Sequence, residues 1–426
     1  MTGTTLARSA ARLGIHGARR LGRRRWLRVL GPAWVVMLAD VDAPSVLTAA
    51  KAGTEFGYAL LLPLLALIPV LYLVQEMTSR LGVATGRGHA ELLREHYGFG
   101  WAAVAVISMA GIDMLAYVAE FAGIVLGAGI LGVPAPVAVG LALLFHSVMV
   151  LTGSYGRYER LALLLSVALF TFVVLALTVH PDPGAVLGGL TVAQPIGNRA
   201  YLDLVVATVG AVIMPWMLFY QQAATVEKGL GVADLPAARV ETIVGAVASE
   251  LLMAAVVVAT AAAMAGPALG IAETVGALPA GLARLASGAP ALLIAVGMIG
   301  SGLLAAVVIS LSSAWAWSEL FRWPHSLNLS VRRAPGFYAL YLLEVVPAAL
   351  VALLAQNLLT VVIDAMILNV VVLAIPLAFL VRMSGDRAIL GELANGPIRS
   401  AVCWAVTGGL LAMGLWSALG TFGILR

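Results

Sequence analysis

Leu38-Ala39-Asp40-Val41-Asp42-Ala43-Pro44-Ser45 decides the fold. Two carboxylates and a proline stand in the middle of an apolar run that begins near residue 29 and is long enough to cross a bilayer, which takes about 20 apolar residues. Inside the hydrocarbon layer every backbone polar group needs a partner, so a helix interruption survives there only where it is buried or lines a cavity. The stretch therefore reads as a transmembrane helix broken at mid-depth. A second stretch, Gly210-Ala211-Val212-Ile213-Met214-Pro215-Trp216-Met217, puts Pro215 at a similar depth in a later run. Proline alone says little, since Pro63, Pro69, Pro347 and Pro376 also fall in or near apolar runs and read as kinks. Together with Asp42, the two stretches read as paired broken helices in matching halves of the chain. That pairing is a pointer to a central binding site in a membrane transporter.

Composition agrees with this reading. Of 426 residues, 62% are hydrophobic and only 11% charged, and the mean hydropathy is +1.01. No water-facing surface can be built from that mixture, which excludes a soluble enzyme, a nucleic-acid binder and a secreted disulfide scaffold. The one cysteine, Cys403, has no metal-ligating neighbour and reads as a small buried hydrophobe. Periodicity and loop signals place spans near 29–50, 60–80, 100–131, 134–152, 161–180, 202–226, 241–265, 290–320, 337–355, 360–382 and 399–424, eleven in all. Spans one and six carry the breaks, as expected of two inverted five-helix repeats followed by an eleventh helix.

Arginine sets the expected orientation. The arm 1–28 carries Arg8, Arg12, Arg19, Arg20, Arg23, Arg24, Arg25 and Arg28 with no carboxylate, which keeps it in the cytoplasm and lays it on anionic headgroups. Arg80, Arg87, Arg94, Arg157, Arg160, Lys228, Arg239, Arg322, Arg332, Arg333, Arg382 and Arg387 then fall on inside loops, and only Lys51, Arg199 and Arg284 on outside ones. An odd span number puts the C-terminus outside the cell, in a plasma-membrane protein. The expected organisation is a basic arm (1–28), a first repeat (29–180), an extracytoplasmic loop (181–201), a second repeat (202–382), a cytoplasmic loop (383–398) and a last helix (399–426). The net charge of +4 is this topology signal and calls for no nucleic-acid partner.

Longer ordered matches carry a family resemblance. Leu30-Gly31-Pro32-Ala33, Ala52-Gly53-Thr54-Glu55-Phe56-Gly57-Tyr58, Arg80-Leu81-Gly82-Val83-Ala84-Thr85-Gly86-Arg87 and Ala90-Glu91-Leu92-Leu93-Arg94-Glu95-His96-Tyr97 are joined later by Gly210-Ala211-Val212-Ile213-Met214-Pro215, Leu368-Asn369-Val370 and Ser384-Gly385-Asp386-Arg387-Ala388-Ile389-Leu390-Gly391. In these stretches the chain resembles the Nramp (natural resistance-associated macrophage protein) family of divalent-metal transporters. The resemblance implies an all-α membrane protein of the LeuT type. It implies a secondary transporter working by alternating access on Mn²⁺ or a similar metal, with the metal as cargo, no cofactor and no obligate protein partner.

That family holds its metal with an aspartate and an asparagine of an Asp-Pro-Gly-Asn break, and with a backbone carbonyl and a methionine of an Ala-x-x-Met-Pro-His break. Asp42 matches the aspartate, Ser45 stands where the asparagine would be, and Ala211 and Met214 match the carbonyl donor and the thioether. Asn369 matches a polar position facing the site from helix ten. A carboxylate with a thioether favours Mn²⁺, Fe²⁺ or Cd²⁺ over Ca²⁺ and Mg²⁺. The departures fall on the proton path: Trp216, Met217 and Gln221 replace histidine, asparagine and a second histidine, Tyr117 replaces an aspartate, and Phe337-Tyr338-Ala339-Leu340-Tyr341 stands where an arginine pair would be. Glu120 is kept. Tryptophan and glutamine cannot relay protons as histidine can, so the usual metal–proton symport is not expected.

Charged groups at membrane depth are costly, so Asp40, Asp42, Glu120 and Glu250 read as facing a cation path, while Asp113 and Glu344 read as neutral carboxyls bonded to a neighbouring helix. Trp216 at mid-depth offers a π-face. Three other functions stay open at this point: a relative preferring hydrated Mg²⁺, a carrier of a small organic cation held by Asp42 or Asp40 against Trp216, and a sensor that does not transport. No nucleophile–base pair or phosphate-cradling loop supports an enzyme.

Overall fold

The computed structural model describes residues 29–191, 194–265, 280–354 and 358–421. The Arg-rich arm 1–28 with Trp26, and the terminal Arg426, lie outside the described residues. Every regular element among the described residues is a helix. The first apolar run forms α1 (Pro32–Ala39) and α2 (Ala43–Phe56), and a short tight turn of helix leads into α3 (Leu61–Thr85). There follow α4 (His89–Tyr97), α5 (Phe99–Ile130), α6 (Ala135–Leu151), α7 (Tyr155–Ser166), α8 (Thr171–Thr178) and α9 (Pro183–Gly188). The second half holds α10 (Arg199–Val212), α11 (Pro215–Glu227), α12 (Leu235–Ala265), α13 (Ala280–Leu285), α14 (Gly288–Phe321), α15 (Pro335–Leu343), α16 (Val345–Leu354), α17 (Leu358–Gly385), α18 (Arg387–Leu390) and α19 (Pro397–Thr421).

Among the described residues, nine runs are long and apolar enough to span a membrane, and Ala135–Leu151 is a shorter apolar helix. The count differs from eleven partly because α2 runs on into α3 as one helical stretch from Ala43 to Thr85. Gly57, at φ 58°, ends α2, but a tight helical turn follows at once, so length and hydropathy alone do not cut the run there. Apolar residues face outward in quantity: Leu141, Leu164, Leu177 and Ile398 are each at least 60% exposed. Trp101 and Trp404 are also exposed, as expected of anchors at span ends.

The core is built by long helices laid side by side, α5 against α14, α12 against α1, α2 and α3, and α17 against α10 and α19. Glycine permits the closest approaches. At Gly210 a Cβ would run into the Met366 carbonyl of α17, and at Gly53 it would stand 2.6 Å from the Val257 carbonyl of α12. Small residues of this kind let membrane helices touch backbone to backbone.

Distant carboxylates finish two helix starts. The Glu241 Oε1 accepts from the N–H groups of Gly31 (2.5 Å) and Trp34 (3.0 Å) at the start of α1. Glu319 accepts from Ala90 (3.0 Å) and Glu91 (3.3 Å) at the start of α4. Both satisfy donors that a helix cannot pair within itself, and both complement the positive end of the helix dipole.

Arg80 lies on a helix and not on a loop. It lies inside α3 and is 1% exposed, where its guanidinium bonds Glu76, the Leu393 carbonyl and Asn395 Oδ1. Arg239 (2.8 Å) and Arg399 reach the same Glu76 carboxylate from α12 and α19. Arg80 and Arg239 are therefore structural ties between helices, and arginine content alone did not distinguish them from loop charges. Lys51 likewise sits within α2, paired with Glu55 one turn on.

His89 gives a pH test of the packing. It opens α4, is fully buried against Phe219, and its Nδ1 lies 2.9 Å from Gln222 Oε1. Burial pushes the imidazole down to about 4, with Gln222 opposing only part of the shift. An unfolded histidine titrates near about 6.5, so on acidification the unfolded chain takes up this proton first. The stability held by neutral His89 is complete above about pH 6.5 and is lost as pH falls to about 4. His89→Gln is expected to flatten the fall in melting temperature across that window; an unchanged pH profile would show that another group sets it.

Candidate ion site between two broken helices

Both breaks follow from local chemistry. Asp42 caps α2: its backbone is extended (φ −86°, ψ 178°) and its Oδ1 accepts from the Ser45 N–H at 2.8 Å. Pro44 stands in the first turn of α2, where its missing N–H costs nothing, so it starts a helix here. Asp40 lies on the other side of the break, as the C-cap of α1. In the second half α10 stops at Val212, Ile213 and Met214 are extended, and Pro215 again supplies the first helical position, of α11.

The two breaks meet. Ser45 Oγ donates to the Ala211 carbonyl at 3.3 Å, joining the start of α2 to the end of α10. Asn369, from α17, donates its amide to the carbonyls of Gly210 (2.5 Å) and Ile213 (3.2 Å). Glu120, from α5, accepts from the Ala43 N–H at 3.1 Å through Oε2. Through that bond the Glu120 carboxyl reaches the residue next to Asp42. Two carboxylates so close cannot both ionise cheaply without a cation beside them.

Trp216 and Met217 turn inward on Met214. The Trp216 indole N–H donates to Met214 Sδ at 3.2 Å, and the Met214 N–H points at Met217 Sδ at 3.4 Å. Ser312 Oγ, on α14, bonds the Trp216 carbonyl at 2.7 Å. Gln221 is one turn further along α11, with its amide 3.4 Å from Thr242 Oγ1. Glu250 lies on α12 and is buried.

All of the sequence-derived residues are sealed in the interior: Asp42, Ser45, Ala211, Met214, Asn369, Glu120, Trp216, Met217, Gln221 and Glu250 are 0% exposed and Asp40 1%. Several oxygens there have no partner, namely both of Asp40, both of Glu250, Asp42 Oδ2, Glu120 Oε1, Gln221 Oε1 and Asn369 Oδ1. The ion pairs among the described residues leave Asp40, Asp42, Glu120 and Glu250 without a basic partner. Buried negative charge with free oxygens and no basic residue suits a cation. Among the described residues no three His, Cys, Asp or Glu side chains converge as a metal-ligating group. An ion at the breaks would thus take carboxylate, carbonyl, hydroxyl, amide or thioether donors.

Sequence reading missed one buried imidazole. His146 of α6 has its Nε2 2.7 Å from Ser310 Oγ, the same hydroxyl that accepts from Tyr117 at 2.8 Å, and it stacks on Tyr341. The one titratable residue in the apolar run Ala135–Leu151 was the available signal. Asp113 is central to α5 and fully buried, with Ser313 donating to it at 3.1 Å, which fits a carboxyl bonded to a neighbouring helix. Cys403 is buried beside Met77.

Comparison with known proteins follows the same lines. The family described as natural resistance-associated macrophage protein-like matches residues 33–419. The divalent metal cation transporter MntH of Ralstonia nicotianae is 29% identical over 417 residues, covering 92% of this chain and 91% of that one. The divalent metal cation transporter MntH of Bacillus subtilis is 24% identical, covering 94% of each. Among solved structures, a manganese transporter of Eremococcus coleocola, crystallised with an aromatic bis-isothiourea compound, superposes with a TM-score of 0.77 at 17% identity, over 95% of this chain and 89% of that one. MhsT in complex with L-phenylalanine superposes with a TM-score of 0.61 at 16% identity, over 94% and 99%. At those identities the superpositions speak for the fold alone.

Proposed function

The chain belongs to the Nramp-like family of multi-pass membrane transporters, and we propose that it is a secondary transporter carrying a divalent cation, Mn²⁺ or a similar metal, through a mid-membrane site at its two breaks. Asp42 supplies the charge, Ser45, the Ala211 carbonyl and Met214 complete the donor set, and Asn369 holds the carbonyl end of α10 in place. The observation that carries this reading is the Ser45–Ala211 contact, which brings the two breaks together around an Asp42 oxygen that has no other partner.

In this reading α1–α2 and α10–α11 are the first and sixth crossings, α3, α5, α6 and α7–α8 complete the first inverted repeat, and α12, α14, α15–α16 and α17 complete the second. The eleventh crossing is α19. The domain limits at 29–180 and 202–382 follow from it. The N-terminus lies in the cytoplasm and the C-terminus outside the plasma membrane.

Transport here runs without the usual proton coupling. Support comes from Trp216, whose indole is committed to Met214, and from Gln221, which cannot titrate. Purified protein in liposomes loaded with a metal dye and a pH dye tests this. Metal influx without internal acidification is expected; acidification that tracks the metal would overturn the uncoupled reading, and no influx of any divalent metal would overturn the function itself.

One contact favours a second reading, a preference for a hard cation such as Mg²⁺. The Met214 thioether is the only soft donor in the set, and it already accepts the Trp216 N–H. Losing that bond is worth about 0.5–1.5 kcal/mol to the sulfur's competing ligand. Trp216→Phe is therefore expected to raise Cd²⁺ affinity about 2–10-fold relative to Mg²⁺ by calorimetry. An unchanged ratio would show that the sulfur is available in the native protein.

A further inference from the structure

Among the described residues, the buried carboxylates almost all have partners. Glu76 binds three arginines, Glu159 binds Lys228, Glu241 and Glu319 cap helices, and Asp113, Asp42 and Glu120 each accept at least one hydrogen bond. Asp40 and Glu250 stand apart: they are 1% and 0% exposed, and none of their four oxygens has a partner.

Helix register brings the two together. α12 runs alongside α1 and α2 in the same direction, with Glu241 on Gly31 and Trp34, Gly245 packed on Met37, and Val257 and Thr260 packed on Gly53. Glu250 lies between these anchors, two turns before Val257 on the same helix face, and so comes level with the break at residues 40–42.

The break also separates the two aspartates chemically. Asp42 sits at the positive end of α2 and receives the Ser45 N–H. Asp40 sits at the C-terminal end of α1, where free carbonyls carry the negative end of the helix dipole. Nothing positive offsets Asp40 and Glu250, whereas burying unpaired charge is expensive.

We propose that Asp40 and Glu250 form a second cation site, distinct from the Asp42–Met214 site, which takes a hard divalent ion through carboxylate oxygens and the carbonyls ending α1. Two carboxylates match a charge of two, and the absence of sulfur or imidazole from this pair suits oxygen-preferring ions. The proposal rests on the cation-transport reading only for the ion's route inward.

Counting bound Mn²⁺ by equilibrium dialysis tests it, because Mn²⁺ accepts both donor sets. The wild-type full chain is expected to hold two ions, the Asp40→Asn/Glu250→Gln double variant one, and Asp42→Ala one. Mg²⁺ is expected to displace the ion left in Asp42→Ala far more readily than the ion left in the double variant. One ion in the wild type, or an unchanged count in the double variant, would overturn the second site. A count that falls in the double variant but not in Asp42→Ala would keep the second site and sink the first. If the double variant does not fold, the wild-type stoichiometry decides alone.

Discussion

Asp42→Ala is expected to abolish metal binding at the Asp42–Met214 site, with a loss greater than about 100-fold in calorimetry for that site, since changes merely in the shell behind a metal ligand already cost about 10–100-fold. Two functions are lost together in that variant. Asp42 is the one charged group in the donor set, and its Oδ1 also caps α2 by accepting from Ser45. The cap contributes about 1 kcal/mol, and asparagine caps as well as aspartate. Asp42→Asn should therefore keep the melting temperature while still losing most of the metal affinity. Normal binding in both variants would remove Asp42 from the site. Loss in the alanine variant alone would assign it a structural role.

Glu76→Ala is expected to be the most destabilising single change away from the site. Glu76 is 1% exposed and neutralises Arg80, which is equally buried, together with Arg239 and Arg399. Removing one partner of a buried ion cluster typically costs about 3–5 kcal/mol, because the remaining charge is left uncompensated. The carboxylate also ties α3 to α12 and α19, so the loss should appear as a fall of several degrees in thermal unfolding in detergent. Glu76→Gln should recover part of it by keeping hydrogen bonds to the guanidinium groups. Wild-type melting in the alanine variant would show that the arginines are stabilised by solvent or lipid instead.

How much of this was legible beforehand depended on whether the signal was local. The breaks were: a proline with carboxylates in an apolar run has few structural solutions, and α1, α2, α10 and α11 end where Asp40, Asp42, Ile213 and Met214 stand. The set Asp42, Ser45, Ala211 and Met214 came from family resemblance, and the Ser45–Ala211 bond, across 166 residues, has no signature in either stretch alone. Asn369 was expected to face the site; its amide donates to the Gly210 and Ile213 carbonyls at the end of α10, which periodicity cannot foretell.

Side-chain partners that the sequence does not announce account for the misreadings too. Arg80 looked like a loop charge until Glu76, Leu393 and Asn395 were found around it. Trp216 looked like a free π-face, and its indole N–H turned out to be engaged by the sulfur beside it. Glu241 and Glu319 cap helices more than 200 residues away, where no capping motif could announce them. The eleven-span count does not emerge from helix length alone for another reason: Gly57 ends α2, but a tight helical turn carries the chain straight into α3, so the two form one run.

Anomalous diffraction at the manganese edge, from crystals of the full chain grown with Mn²⁺, tests the central claim most directly. The expected result is a peak at the junction of the two breaks, within about 2.6 Å of an Asp42 oxygen, with the Ala211 carbonyl and the Met214 sulfur facing it. Peaks confined to the protein surface, or none within coordination distance of Asp42 at saturating Mn²⁺, would contradict it.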